Sequence, residues 1–273
     1  MNDMIKSAGL ILNRQNREAV LCADQAAVFF QNHGITAFDA QEEERETKPD
    51  IIISFGGDGT MLFAARYAIK YNIPLLGINL GTVGFLTEEV PANLNEALTS
   101  IIDGRYKTEI RSLLMVRNEA AERYFLALND VVITRGGYAR LIKVDATVNR
   151  KEYGTFTADG IIVATPTGST GYSLSAGGPI VEPDMNCMII TPVCAHSMQH
   201  CPCVVSETSE IRLLLTHDRE QTAELQIDGQ NMGSLKAGDE IHVTGTEKKI
   251  RLVRLHPYDF FGLTRKKLSE WGN

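Results

Sequence analysis

The chain has no excess of positive charge: 27 Lys and Arg stand against 34 Asp and Glu, for a net charge of −7. This excludes nonspecific nucleic-acid binding, so an anionic ligand must be held locally by backbone N–H groups and a few placed cations. No apolar run approaches the roughly 20 residues needed to span a bilayer, which argues against a membrane partner. The opening Met1-Asn-Asp-Met-Ile-Lys-Ser7 has no cationic segment leading into a long apolar one, so no signal peptide is expected and a cytoplasmic chain is. Five cysteines, an odd number without regular spacing, argue against a disulfide framework. Internal repeats, low-complexity stretches and flexible linkers are also missing. Neither Gly-Lys-Ser/Thr nor Gly-x-Gly-x-x-Gly occurs at a phosphate-binding position, which excludes the common P-loop and the dinucleotide fingerprint.

What remains is an ordinary globular composition, 44% hydrophobic and 22% charged, over 273 residues, enough for two domains. Glu42-Glu-Glu-Arg-Glu46 is the densest charge run and reads as a solvated loop or helix face. The most informative segment is Asp50-Ile-Ile-Ile-Ser-Phe-Gly-Gly-Asp-Gly-Thr60. Its isoleucines suit a strand buried on both faces, and Leu62, Ala65 and Ile69 share one helical face before Pro74. Gly56, Gly57, Gly59 and Thr60 therefore form a strand-to-helix loop, where glycines admit a close ligand and the helix start favours phosphate. A tight hairpin turn is the competing reading of Asp-Gly. The helical spacing of Met61 to Lys70 decides against it. Asp58 would repel phosphate unless it binds a divalent cation or accepts a proton from the attacking group, and both roles belong to phosphoryl transfer.

The first hundred residues alternate strand and helix signals: strands at Ala8 to Leu12, Ile35 to Phe38, Asp50 to Phe55 and Pro74 to Asn79, with helices at Glu18 to Asn32, after Asp58, and from about Asn93 to Ile102. This predicts an α/β N-terminal domain with a parallel sheet, ligands lying beyond its C-terminal strand ends. From Tyr106 the pattern turns to short apolar runs, Tyr124 to Thr134 and Leu141 to Asn149 among them, which predicts a β-rich C-terminal domain. The expected organisation is 1–104 as the α/β domain, 105–257 as the β-rich domain, and 258–273 as a helical tail packing back on the first. Cys187, Cys194, Cys201 and Cys203, with His196 and His200 interleaved, raise the question of zinc. Their spacing is poor for a zinc site, and reduced core or loop cysteines are the expectation, with no fixed protein metal site.

Thr165-Pro-Thr-Gly-Ser-Thr-Gly-Tyr-Ser-Leu-Ser-Ala-Gly-Gly-Pro179 concentrates hydroxyls and glycines beside one aromatic face, a surface for ribose and phosphate or else a tightly packed polar turn. Asn129-Asp130 interrupts an apolar run, and burying two polar side chains requires a partner, which favours ligand contact. Together with Gly56 to Thr60, Leu76-Gly-Ile-Asn-Leu-Gly-Thr-Val-Gly-Phe-Leu-Thr87, Asp159-Gly160 and Asp228-Gly-Gln230, these segments resemble the NAD kinase family of bacterial type along most of the chain. Lipid kinases and 6-phosphofructokinases are similar at the first loop. The Thr165 to Pro179 segment and Asn129-Asp130 select among them.

The resemblance implies an NAD kinase-like two-domain fold and transfer of the terminal phosphate of ATP, or polyphosphate, to the 2′-hydroxyl of the adenosine ribose of NAD. A divalent cation, Mg2+ or Mn2+, would accompany ATP, and the chain would assemble as a homodimer or homotetramer. It makes Asp58 the proton acceptor and Gly56, Gly57, Gly59 and Thr60 the phosphate-donor loop. It places Asp58, Gly59, Asn129, Asp130, Arg140, Thr157, Asp159, Thr170, Gly171, Tyr172, Ser173, Ser175 and Gln230 at NAD, with Asp228 a second candidate carboxylate. Gly171 stands where the family more often has alanine, and Asp130 where it often has glutamate. The alternatives are a related Gly-Gly-Asp-Gly small-molecule or lipid kinase and a non-catalytic pyridine-nucleotide sensor. A pure binder gains little from a carboxylate facing phosphates.

Overall fold

The computed structural model describes residues 5–41, 48–82, 84–136, 141–196, 201–216 and 222–271. Among them lie sixteen strands and five α-helices, in two compact units. One unit takes the chain to Ile110 and again from Ile250; the other is Arg111–Lys249.

In the first unit, β1 (Ser7–Leu12), β2 (Thr36–Asp39), β3 (Ile51–Phe55) and β4 (Pro74–Ile78) lie in the order β2-β1-β3-β4, every pair parallel. All five residues of β3 are buried, as a central strand covered on both faces requires. Ile51 and Ile53 share a core with Ala19, Ala23 and Phe30 of α1 (Arg17–Asn32) and with Leu98 of α3 (Leu94–Ile102). The Asn16 side chain accepts the N–H groups of Glu18 and Ala19, a cap worth about 1 kcal/mol. The segments after β3 and β4 emerge at one sheet edge, where the Gly56 N–H donates to the Ile78 carbonyl at 2.9 Å. β3 leads through Gly56 and Gly57 directly into α2 (Asp58–Tyr71).

The chain end returns to this unit. Arg254 is buried, with Nη1 2.9 Å from Glu88 and Nε 2.6 Å from Glu109, and its guanidinium lies 4.2 Å from the Tyr258 ring centroid. Glu88 also accepts the N–H groups of Leu255 and His256, so one buried carboxylate fixes the path into α5 (Phe260–Trp271). The basic tail is helical, as its composition predicts.

The second unit packs two antiparallel layers. One sheet has the order β12 (Cys203–Ser206), β11 (Cys187–Val193), β10 (Gly160–Ala164), β7 (Asp130–Arg135), β14 (Ala223–Ile227), β15 (Gln230–Leu235). The other carries β13 (Glu210–Leu215), β8 (Ile142–Val148) and β9 (Lys151–Ala158), with β16 (Glu240–Arg254) paired along β13. Val131, Ile133, Ile161 and Val163 of the first layer meet Val144, Ala146, Leu213 and Val243 of the second in one core, the alternation that half-buried strands require. A hairpin of β5 (Lys107–Asn118) and β6 (Arg123–Ala127) adds to it, and α4 (Tyr172–Ser175) is a single turn.

Several expectations change in detail. The units divide at Ile110 and Lys249 rather than at 104 and 257, because β5 and β16 run unbroken through both boundaries and no turn residue marks the crossing. The Glu240 to Val243 and Ile250 to Leu255 runs are one strand, bridged by a polar, half-exposed stretch. The Tyr124 to Thr134 run is two strands, because the N–H groups of Leu128 and Asn129, between β6 and β7, bond to a side chain, and the ladder resumes at Asp130 opposite Ala164. β12 and β15 are strands that weak alternation concealed.

Candidate active site

Asp58 opens α2, with Gly57 as its N-cap, so its negative charge sits where the helix dipole favours one. The Phe85 N–H donates to Oδ2 at 2.8 Å and the Leu86 N–H to Oδ1 at 3.1 Å. Gly84 is pressed against this carboxylate: a Cβ there would lie 1.9 Å from Oδ1. An ionised carboxylate has about four acceptor positions, so two fixed N–H bonds orient it and leave lone pairs for a hydroxyl proton. Gly56 is required for a different reason, since a Cβ would lie 2.2 Å from Thr60 Oγ1. Beside Gly57 and Gly59 there is open space within 4 Å of a would-be Cβ, the room a phosphate at a helix start needs. Asn79, buried just past β4, donates to the Gly81 carbonyl at 2.9 Å while its Oδ1 has no partner among the described residues.

In the second unit, the Asn129-Asp130 turn between β6 and β7 is pinned from two sides. Asp228 accepts the N–H groups of Leu128 (2.9 Å), Asn129 (2.7 Å) and Asp130 (3.1 Å). Thr165 donates its hydroxyl to the Leu128 carbonyl at 2.6 Å and its N–H to the Asn129 carbonyl at 2.8 Å. Asn129 Oδ1 is buried with no hydrogen-bond partner among the described residues, although Asn129 itself is only half-buried. Asp130 is 5% exposed, and burial, then the charge of Asp228, pushes its carboxyl up to about 7. Tyr172, 45% exposed, has its hydroxyl pushed above the usual range by burial, then by Cys194, Asp159 and Asp130. The half-buried Asp159 is paired with Arg135 at 3.1 Å.

The hydroxyl-rich segment divides its work. Ser169 and Ser173 are fully buried: Ser169 Oγ exchanges bonds with the Val181 N–H and carbonyl, and Ser173 Oγ lies 2.8 Å from Thr191 Oγ1. Both hydroxyls brace the loop from behind. Thr170 Oγ1 donates to the Thr167 carbonyl at 3.2 Å, which closes the short 3-10 turn Thr167–Thr170. Gly168 is packed onto the Asn129 backbone, where a Cβ would lie 2.1 Å from its carbonyl oxygen; at Gly171 a Cβ would lie 3.6 Å from Asn129 Nδ2. Asn129, Asp130, Asp159, Gly171 and Tyr172 thus form one neighbourhood.

Thr157, Ser175 and Gln230 are less connected. Thr157 and Ser175 are exposed and Gln230 is half-buried, and among the described residues no bond joins their side chains to Asn129 or Asp130. Arg140 and His200 lie outside the described residues. Cys187 on β11 and Cys203 on β12 sit three rungs apart by register, too far to share an ion, and Cys194, Cys201 and His196 are exposed. Among the described residues no group of three His, Cys, Asp or Glu side chains is arranged to hold a metal. Sequence reasoning missed the 84–86 anchor of Asp58 and the bonding of Asp228. Gly84 within the Leu76 to Thr87 motif was the available signal for the first.

Comparison with known proteins identifies the family. Residues 16–106 match the ATP-NAD kinase N-terminal domain and residues 128–255 the ATP-NAD kinase C-terminal domain. The chain is 35% identical over 285 residues to the NAD kinase of Syntrophotalea carbinolica, covering 98% of this chain and 99% of that protein. To the NAD kinase of Moorella thermoacetica it is 41% identical over 233 residues, covering 85% and 75%. The yeast NADH kinase complexed with NADH has the same fold, with a TM-score of 0.82 at 23% identity over 95% of this chain and 86% of that one. An NAD kinase from Archaeoglobus fulgidus in complex with ATP gives 0.75 at 29% identity, over 95% and 98%. The family models and the relatives define a phosphotransferase of the kinase class. Within that class, this chain belongs to the NAD kinase family.

Proposed function

We propose that this chain transfers the terminal phosphate of ATP to the 2′-hydroxyl of the adenosine ribose of NAD, making NADP. The observation that carries the reading at residue level is the Asn129-Asp130 turn. Among the described residues the buried Asn129 amide oxygen has no partner, the buried Asp130 carboxyl follows it in the chain, and ribose hydroxyls are donors suited to both.

In this reading Asn129 and Asp130 orient the adenosine ribose, Tyr172 offers its ring to the dinucleotide, and Asp159, Gly171 and Thr170 shape the surroundings. Thr157, Ser175, Gln230 and Arg140 belong to its periphery, and Ser173 contributes by bracing the loop. Asp58 takes the proton as the 2′-oxygen bonds to the terminal phosphorus and the bond from that phosphorus to the bridging oxygen breaks, releasing ADP. Gly56, Gly57, Gly59 and Thr60 form the loop for the donor phosphates. A divalent cation, Mg2+ or Mn2+, supplies charge compensation on those phosphates when bound with ATP. Polyphosphate is a second donor to test. The reading extends to a cytoplasmic homodimer or homotetramer, which size measurement in solution and cell fractionation test.

The deciding experiment is NADP formation from NAD with ATP and magnesium, run beside NADH, a lipid acceptor and the Asp58→Asn variant. NADP made by the wild type and lost in the variant, with NAD binding retained, is the expected result. Phosphorylated lipid, or NAD binding without turnover in the wild type, would overturn it.

A further inference from the structure

The β14–β15 hairpin turns on Asp228 and Gly229, both at left-handed φ of 49° and 75°. Asn-Gly would serve such a two-residue turn equally well. What asparagine would not supply is a carboxylate, and here both carboxylate oxygens are used: Oδ2 by the Leu128 N–H and Oδ1 by the N–H groups of Asn129 and Asp130. The Asp228 N–H returns a bond to the Asp130 carbonyl at 3.0 Å. These bonds fix the backbone of Leu128 and Asn129, between β6 and β7, and of Asp130, which opens β7 opposite Ala164 of β10. A residue needed only for the turn would avoid setting its charge beside the buried Asp130 carboxyl.

We propose that Asp228 is a positioning residue for dinucleotide binding, its carboxylate holding the backbone of Leu128 to Asp130 so that the Asn129 and Asp130 side chains face the ligand. The proposal rests on the NAD reading above. It acts through geometry and also through charge, since Asp228 follows burial in holding Asp130 protonated up to about pH 7. The other titratable groups bearing on Asp130 are Tyr172 from α4 and, around Tyr172, Cys194 and the Asp159 carboxylate paired with Arg135. Ribose hydroxyls donate best to ionised Asp130, so removing the Asp228 charge should move the pH dependence of binding as well as its strength.

The test is calorimetric NAD titration of the full chain across about pH 5 to 9, a range that spans the carboxyl's rise to neutrality. Wild-type affinity should climb through about pH 7. Asp228→Asn keeps a side chain suited to left-handed φ, so it should fold while binding NAD about tenfold or more weakly, with the pH midpoint moved to lower values. Asp228→Ala should weaken binding further; if it fails to fold, Asp228→Asn alone decides. Equal affinity and an unmoved midpoint in a folded Asp228→Asn would overturn the proposal while leaving the function intact. A wild-type chain that binds no NAD would overturn the NAD reading, and the proposal with it.

Discussion

Asp58 does two things with one carboxylate in the proposed reaction: it takes a proton, and it receives the N–H groups of Phe85 and Leu86. Substitution therefore tests more than proton transfer. Asp58→Asn keeps the shape but places an NH2 group where one N–H now finds an acceptor. We expect kcat to fall by about 10²- to 10⁴-fold, the range for loss of a general base, with a small drop in melting temperature from the loosened 84–86 segment. Gly84→Ala separates the two roles, because Asp58 stays in place chemically while a methyl group 1.9 Å from Oδ1 displaces it. The expected outcome is a kcat loss on the order of a hundredfold with the KM for NAD near that of the wild type, since displacing a positioned group costs about this much. Steady-state kinetics on both variants checks this. Full activity in Gly84→Ala would mean that the position of Asp58 has slack.

At the scale of elements, the 3-10 turn Thr167–Thr170 packs on the Asn129 backbone through Gly168, with Gly171 just after it, and the two glycines behave differently. Gly168→Ala drives a Cβ to within 2.1 Å of the Asn129 carbonyl oxygen, so the Asn129 turn or the 3-10 turn must shift. We expect a loss of about 1–3 kcal/mol in stability and at least a tenfold rise in the KM for NAD. Gly171→Ala meets only ordinary contacts, at 3.4 Å and 3.6 Å, and should leave stability within about 1 kcal/mol and fill the wall beside Asn129. Denaturant melts and NAD titration of the two variants make the comparison. Much of this was legible beforehand. Isoleucines 51 to 53, the helical spacing after Asp58 and the hydroxyl-rich run place the loops on their strands from local pattern alone. The roles of Ser169, Ser173 and Asp228 were not legible, because each depends on partners 12, 18 and about 100 residues away. A serine that braces a loop reads the same in sequence as one that binds ribose. The continuous β5 and β16 likewise hide the unit boundaries, since no turn or linker composition marks a strand that passes through.

Across the whole molecule, buried and paired ionisable groups set opposing pH slopes. Asp130, raised to about 7 by burial and Asp228, binds a proton in the folded chain that the unfolded chain releases near pH 4, so stability falls as pH rises through that window. His256 is raised by its hydrogen bond to Glu89, so its contribution is present below its ordinary value and is lost as pH climbs through the folded one. Burial pushes Glu89 up, but the bonds from His256, the Val90 N–H and Asn93 outweigh it. Glu240 is lowered chiefly by the Arg212 hydrogen bond. Both carboxylates contribute above their ordinary values and lose that contribution as pH falls through the lowered ones. The ligand-free chain should accordingly be most stable at about pH 4 to 4.5, where these windows meet. From there to about pH 8 the melting temperature should fall by several degrees, of which Asp130→Asn removes most, leaving the shallow slope of the exposed His256. In the proposed site ligand hydroxyls bind the ionised Asp130 carboxylate, so NAD should oppose the trend and the NAD-induced rise in melting temperature should be larger at about pH 8 than at about pH 5. Thermal melts of wild type and Asp130→Asn, with and without NAD, measure all four slopes. An Asp130→Asn profile that parallels the wild type without ligand would show that the carboxyl titrates alike in the folded and unfolded chains, and would remove the electrostatic link between Asp228 and the site.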